Sequence, residues 1–392
     1  MFDFQIIVPA FNEEKTLERV LIHARDRGYL EHLVVVDDAS TDSTPQILKY
    51  WAGEYGLCAI QLEKNCRKEG AIRLAMEALH GAGELKPYTL LLDADAMLIG
   101  DLSSISLEEQ IQQCINEMRK HEHKALALRI DVAQRGMSTI FESCAFADYS
   151  AMQVDQWLIA LQGQVWVING VGGIFETDHL LPILKNMQPD FETGDLLITV
   201  KLMSEKRAIG FRPAFAVETF VPVNLVGYFN QRRRWERGTT KVLWNEARFY
   251  LGLFPGLRLL ALWTVIHLSI YVGLIFSVGL MITGEMDWSK FIHILFISAL
   301  IWLGLSLVKG VVLKIQRPKF EFFRYGACAV INGLLSLLVT TPARLTGFFE
   351  AIFFLSFKSS RQPNSVQHGV NHAWLNKSKV PILKTLDAQI CD

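Results

Sequence analysis

Four groups of residues along the chain could act together on a metal-bound diphosphate: Asp37-Asp38, Asp93-Ala94-Asp95, Asp195 and Gln231-Arg232-Arg233-Arg234-Trp235. Carboxylates separated by one residue can direct one side chain to a ribose and the other to a divalent cation bridging two phosphates. Such hard oxygen ligands suit magnesium or manganese. A lone carboxylate can take the proton of an attacking hydroxyl. Arginine's planar fork gives paired, charge-assisted hydrogen bonds to a pyrophosphate, and the broad face of tryptophan accepts a sugar ring. All four groups precede long apolar runs, an order that points to sugar-nucleotide chemistry seated on a membrane.

Each group also has a plainer reading. Acidic loops after strands are common surface, which accounts for Asp93 and Asp95 taken alone. Asp37-Asp38, followed by Ser40, Thr41, Asp42 and Ser43, reads as the cap of a helix, and Asn12-Glu13-Glu14 as a helix start. A lipid-facing basic patch accounts for the arginine run, so weight goes only to Gln231, Arg234 and Trp235. The segment Asn169–Gly173 is either a tight turn or a place where backbone approaches a ligand closely. His179 and His121-Glu122-His123 fit no recognised metal-ligand spacing and receive no metal.

The elements that must position these groups follow from apolar periodicity. Gln5–Val8 is a short apolar strand ended by Pro9, and Glu13–Ala24 carries Leu17, Val20, Leu21 and Ala24 at helical spacing. Leu33–Val36 is a second buried strand. Helices over Thr44–Tyr55 and Glu69–His80 alternate with strands over Cys58–Leu62 and Tyr88–Leu92, the pattern of an α/β fold with a mostly parallel sheet flanked by helices. Ligands collect at the carboxyl ends of strands in such sheets, where Asp38, Asp93 and Asp95 fall. Helices over Leu107–Lys120 and Ala145–Leu161 and a strand over Lys124–Ile130 follow. Residues 1–100 are read as a nucleotide-sugar-binding half and 101–225 as the acceptor-binding half of one catalytic domain.

A net charge of -1 over 392 residues makes no global case for nucleic-acid binding. The six cysteines show no metal-type spacing and read as free thiols. Met1–Pro9 lacks a basic leader, so neither a cleavable signal nor an N-terminal anchor is expected. Between Gln231 and Arg258 basic residues outnumber Glu236 and Glu246 and are interleaved with Trp235, Trp244, Phe249 and Tyr250, which suits an amphipathic segment over 226–257 lying at a membrane interface. Leu259–Gly284 and Phe291–Val308 then run without a charged side chain, each near the roughly 20 residues needed to cross the hydrocarbon. Residues 258–357 are therefore expected to be transmembrane and interfacial helices, and 358–392 a flexible tail. The cationic stretch Lys309–Arg324 puts that loop, with the N-terminal domain, on the cytoplasmic side of a cell membrane crossed several times.

The string Ile6-Ile7-Val8-Pro9-Ala10-Phe11-Asn12-Glu13-Glu14, with Val34-Val35-Val36-Asp37-Asp38-Ala39-Ser40 downstream, resembles the family-2 inverting glycosyltransferases over roughly Phe4 to Trp235. The later apolar runs resemble the processive branch of cellulose, chitin, hyaluronan and poly-N-acetylglucosamine synthases. The resemblance implies a nucleotide-diphospho-sugar transferase fold followed by an α-helical membrane region. It implies that Pro9, Ala10, Glu13 and Asp38 hold the uridine of a UDP-sugar and that Lys68 and Gly70 border the nucleotide. Asp93 and Asp95 take the Asp-x-Asp role, with Asp95 on Mg2+ or Mn2+. Asp195 of Thr193-Gly194-Asp195 falls at the catalytic base. Gln231, Arg234 and Trp235 match a Gln-x-x-Arg-Trp signature, Gln231 and Arg234 serving the donor. Trp235, with Gly172 and Gly173, serves the acceptor.

The implied reaction moves N-acetylglucosamine or glucose to a growing β-linked polysaccharide. Transfer of one sugar to a lipid or polyprenyl-phosphate acceptor, and an inactive nucleotide- or glycan-binding membrane subunit, are the alternatives. Two departures stand out: Gly194 replaces the acidic residue that usually precedes the base, and Arg73 stands where many relatives have a small amide. With no membrane helix ahead of the catalytic domain, an oligomer or an export partner is expected for polymer passage.

Overall fold

The computed structural model describes residues 2–100, 105–133, 139–161, 163–187, 192–247, 273, 276–277, 279–357 and 370–374. The chain forms two compact units: residues 1–130, 167–220 and 360–392 in the first, 131–166 and 221–359 in the second.

The first unit is built on a sheet of strands β1 (Phe4–Ala10), β2 (Leu33–Asp37), β3 (Cys58–Leu62), β4 (Tyr88–Leu92), β5 (Ala96–Gly100), β6 (Ala125–Val132), β7 (Gly172–Glu176), β8 (Ile209–Thr219) and β9 (Val370–Trp374), in the order β5-β8-β6-β7-β4-β1-β2-β3-β9. The centre is parallel: Ile7 pairs with Val34 on one side and Leu91 on the other, and Val35 with Ala59. Ile6, Ile7 and Val8 are wholly buried, as are Val35 and Val36. Each such side chain contributes about 1.5–3 kcal/mol of burial free energy, which is why these short strands occupy the middle of the sheet. Helices α1 (Leu17–Asp26), α2 (Thr44–Tyr55), α3 (Arg67–Gly81), α4 (Leu107–Lys120), α6 (Thr177–Lys185) and α7 (Gly194–Ser204) complete the unit.

The strands and helices expected over Thr44–Tyr55, Cys58–Leu62, Tyr88–Leu92 and Leu107–Lys120 are found with those bounds. Helix α3 starts two residues before the expected Glu69, at Arg67, and two others, α1 and α5, are displaced further for reasons in the side chains. The first begins at Leu17 rather than Glu13, because Glu13 is used by a loop: its N–H donates to Thr44 Oγ1 at 2.8 Å and its carboxylate accepts from Thr16. Helix α5 (Ile140–Ala160) begins five residues before Ala145, since Thr139 and Glu142 form a capping box at its start. The antiparallel strands β5, β7 and β8 have no counterpart in the expected elements. Within the tail read as flexible, β9 pairs antiparallel with β3, Ile60 opposite Ala373.

The second unit is helical: α5, α8 (Leu225–Asn245), α9 (Trp288–Gln316), α10 (Phe322–Leu335) and α11 (Thr341–Phe357). Ala147 and Val154 of α5 pack with Leu313, Phe320, Tyr325, Cys328 and Ala329. The expected membrane-crossing helices are not found: among the described residues, no helix is long and apolar enough to cross a membrane. The run Leu259–Gly284 lies mostly outside the described residues, and so do several side chains of Phe291–Val308 within α9. Within the arginine run, Arg232 and Arg233 are paired inside the unit and Arg234 is exposed. Arg232 is 2% exposed and donates to Asp148 at 2.8 Å, while Arg237 reaches Glu350 at 2.8 Å and Arg233 lies 3.7 Å from the same carboxylate.

Candidate functional site

The ends of β1 and β2 are laced together. The Asp38 N–H donates to the Ala10 carbonyl at 2.8 Å, the Asn12 N–H to Ser40 Oγ at 2.9 Å, and the Thr41 N–H to Asn12 Oδ1 at 2.8 Å. Asn12, Ala39 and Arg67 adopt left-handed φ of 58°, 59° and 61°. Asparagine tolerates that region, whereas alanine and arginine hold it only where surrounding contacts impose it, as at functional sites. These three residues frame Asp38, whose Oδ1 accepts from the Cys66 N–H at 2.6 Å. Burial foremost, with Asp37 beside it, pushes the Asp38 carboxyl up to about 6 against the pull of the Cys66 and Arg67 amides. Asp37 is fully buried; its Oδ1 accepts from the Ser40 N–H at 3.0 Å, and its Oδ2 has no partner among the described residues. Pro9 and Ala10 pair with Val36 and Asp37 at the same edge.

Asp93 and Asp95 lie between β4 and β5, in a turn closed by the Ala96 N–H on the Asp93 carbonyl at 3.0 Å. Lys68, near the start of α3, donates to the Asp93 carboxylate and to the Gly170 carbonyl, the latter at 2.9 Å. Burial would lower the Lys68 pKa, but the Asp93 carboxylate outweighs it and the ammonium is held above its ordinary range. Asp95 is pushed up to about 7, first by burial and then by the charges of Asp93 and Glu13. Burial likewise raises Glu13. Carboxylates so crowded that they favour a proton are also suited to a divalent cation, which would remove the same unfavourable charge.

Asp195 stands in the first turn of α7. Its Oδ2 accepts from the Gly170 N–H at 3.1 Å and its Oδ1 from the Leu196 N–H at 2.8 Å. A Cβ on Gly170 would lie 2.7 Å from Lys68 Nζ, so a larger residue there would displace the end of the lysine, while the Asp195 Cβ at 3.5 Å would be in ordinary contact. Gly172 and Gly173 sit inside β7 opposite Leu92 and Leu91, and a Cβ on Gly172 would lie 2.7 Å from Val217. Gly70 packs in α3 over Cys66. The first unit thus couples Glu13, Lys68, Asp93 and Asp95 electrostatically, and Lys68 in turn to Asp195.

Gln231, Arg234 and Trp235 are on α8 of the second unit. Arg234 is exposed, Gln231 Oε1 is buried with no partner among the described residues, and Trp235 stacks on Tyr149 with ring centroids 6.3 Å apart. The Arg232 guanidinium lies 4.5 Å from the Trp235 ring centroid and 4.6 Å from that of Tyr228. Sequence reasoning missed Arg232, and the signal available was only its place within the basic run.

Among the described residues, the His, Cys, Asp and Glu side chains close enough together to share an ion are Glu31, His32 and Glu108, a group that does not include Asp95. His179 is occupied by Glu176 at 3.2 Å, and His121 stacks on His123.

A mixed, centrally parallel sheet with carboxylates clustered at its strand ends defines the nucleotide-sugar transferase class of α/β fold. Residues 5–143 match Glycosyl transferase family 2, and residues 89–307, more than half of the chain, match Glycosyl transferase family group 2. The chain belongs to Glycosyl transferase family group 2. It is 24% identical over 242 residues to poly-beta-1,6-N-acetyl-D-glucosamine synthase of Staphylococcus epidermidis, a match covering 61% of this chain and 55% of that one, so it spans about half the length of that relative. It is 20% identical over 354 residues to hyaluronan synthase of Streptococcus pyogenes serotype M1, covering 86% and 79%. The fold is similar to that of mannosyltransferase PcManGT from Pyrobaculum calidifontis, solved with GDP-Man and Mn2+: the TM-score is 0.55 at 17% identity, over 86% of this chain and 87% of that one.

Proposed function

We propose that the protein is an inverting glycosyltransferase that moves a sugar, N-acetylglucosamine in preference to glucose, from UDP to a growing β-linked polysaccharide at the cytoplasmic face of a cell membrane. The observation that carries this reading is the convergence of Asp38, Lys68, Asp93, Asp95 and Asp195 at one end of the sheet. The synthase relatives and the implied Gln-x-x-Arg-Trp signature support the polymer product.

Pro9, Ala10, Glu13 and Asp38 hold the nucleoside, with Lys68 and Gly70 bordering the nucleotide. Asp95, backed by Asp93, would hold Mg2+ or Mn2+, and the oxygen-only donor set fits such an ion. When bound, the ion would neutralise the departing diphosphate. Lys68 keeps Asp93 and the Gly170 carbonyl in register. Asp195, both oxygens fixed by backbone amides, takes the proton of the acceptor hydroxyl as it attacks the anomeric carbon opposite the leaving group, which inverts that centre. The Gln-x-x-Arg-Trp signature would assign Gln231 and Arg234 to a donor diphosphate and Trp235 to an acceptor sugar. The exposed apolar side chains of α9, among them Phe296, Ile297, Leu305, Val308 and Ile315, support a lipid environment for the second unit. A second copy or an export partner would complete the path of the polymer.

The test is incorporation from a panel of labelled UDP-sugars by membranes carrying the wild type or Asp195→Asn, with and without Mn2+ or Mg2+, resolved by product size. A donor-specific, metal-dependent ladder lost in the variant supports the reading. One short lipid-linked product replaces polymerisation by single transfer, and full activity in Asp195→Asn removes the base assignment.

A further inference from the structure

Position 194, one residue before the proposed base, contributes no side chain. The space beside it is nevertheless filled. A Cβ built on Gly194 would overlap Oε1, Cδ and Cγ of Glu69, so the Glu69 side chain occupies the volume that any residue larger than glycine would need there. Glu69 reaches this notch from α3, next to Lys68, and α7 presents Asp195 immediately after it. The charged groups facing Glu69 are Lys68, Asp93 and Asp195. Burial foremost raises the Glu69 pKa; Lys68 pulls it down, and Asp195 and Asp93 add to the rise. A partly exposed glutamate held in a tight notch between three charged side chains is not ordinary helix surface.

We propose that Glu69 is a positioning residue for Asp195, its carboxylate seated in the Gly194 notch and supplying the second negative charge beside the base. The inference rests on the transferase reading of Asp195. The Asp195 carboxylate accepts from the Gly170 and Leu196 amides, and Glu69 adds a charge beside it from α3. A second carboxylate there places negative charge next to the acceptor hydroxyl whose proton the base takes. Glu69 and Gly194 are thus two halves of one arrangement: the glycine leaves the room and α3 brings the charge.

Two readouts test this. The first is a thermal-unfolding cycle that needs no turnover. Gly194→Ala lowers the melting temperature in the wild type and has little effect in a Glu69→Ala background; equal losses in both backgrounds overturn the notch. The second is steady-state transfer from the UDP-sugar on which the wild type is most active. Glu69→Gln, which fills the notch without charge, lowers kcat about tenfold or more with donor KM nearly unchanged. The exchange variant Glu69→Ala/Gly194→Glu puts a carboxylate back from the first turn of α7, where an acidic residue is well tolerated, and recovers activity relative to Glu69→Ala. Unchanged kcat in Glu69→Gln, or no recovery on exchange, overturns the role of the charge. A wild type that transfers no sugar from any donor overturns the transferase reading and the catalytic part of this inference with it, while the unfolding cycle still decides whether Glu69 fills the notch.

Discussion

The two units treat buried charge in opposite ways. In the sheet unit, Asp38 is a buried carboxylate and Glu13, Glu69 and Asp95 are partly buried ones, all raised above their ordinary range, and Lys68 is the cation set among Glu69, Asp93 and Asp195. In the helical unit, Arg232 is matched by Asp148, Asp148 also accepts from Asn332 at 2.5 Å, and Lys309 donates to Asp155 at 2.6 Å. Charge left in excess stores unfavourable free energy that a cation or a proton can release, which is the signature of a site. Charge matched and hydrogen-bonded holds helices together and offers a ligand little.

The largest effect that separates the two is on turnover. Asp195→Asn should lower the rate of sugar transfer about 10²- to 10⁴-fold with the melting temperature close to that of the wild type, as checked by steady-state kinetics beside thermal unfolding. The mirror case is Arg232→Met, which leaves Asp148 without its cation. It should cost about 3 kcal/mol of stability, read by denaturant unfolding, and Asp148→Leu in the same chain should recover part of it. A large stability loss in the first variant, or none in the second, would erase the contrast.

A smaller effect is on pH. The folded-state pKa of Asp38 is about 6 and that of Asp95 about 7, both above the ordinary 3.8. The native state therefore binds more protons than the unfolded chain between about pH 4 and 7, and stability falls as pH rises through that window. The melting temperature should drop from pH 4.5 to 7.5, and less so in Asp38→Asn. Mn2+ should raise it at pH 7.5 and leave it unchanged at pH 4.5, where Asp95 is protonated. The smallest effect belongs to Arg73, which lies 3.6 Å from Glu77 with both side chains about one-third exposed. Arg73→Ala should shift stability by no more than about 0.5 kcal/mol and leave donor KM unaltered, the outcome for a surface pair outside both clusters.

Legibility followed the range of the interactions involved. Strands β1 to β4 and helices α2 to α4 were readable because continuous apolar runs and helical spacing are set by near neighbours. The carboxylates at Asp38, Asp93 and Asp95 were readable because a strand end is itself a local feature. Strands β7 and β8 were not: Gly172-Gly173 looks like a turn, and becomes strand only because β4 and β6 flank it and Val217 fills the space beside it. The start of α5 was readable in principle from Thr139 and Glu142 at capping-box spacing. The membrane-crossing helices expected over the later apolar runs have no counterpart among the described residues, while the exposed face of α9 keeps the apolar character that prompted them.

By itself the sequence determined the alternation of strands and helices in the first hundred residues, the carboxylates at their ends and the family pattern that joins them. The first two depend on residues within one or two turns of each other, and the third on strings that are each local. Tertiary structure alone decided that Glu69 fills the place of a side chain at 194, that Arg232 points inward to Asp148, and that residues 370–374 extend the sheet beyond β3. Those pairings join positions 84 to more than 300 residues apart, where no local periodicity operates and only close packing and charge compensation select the partner.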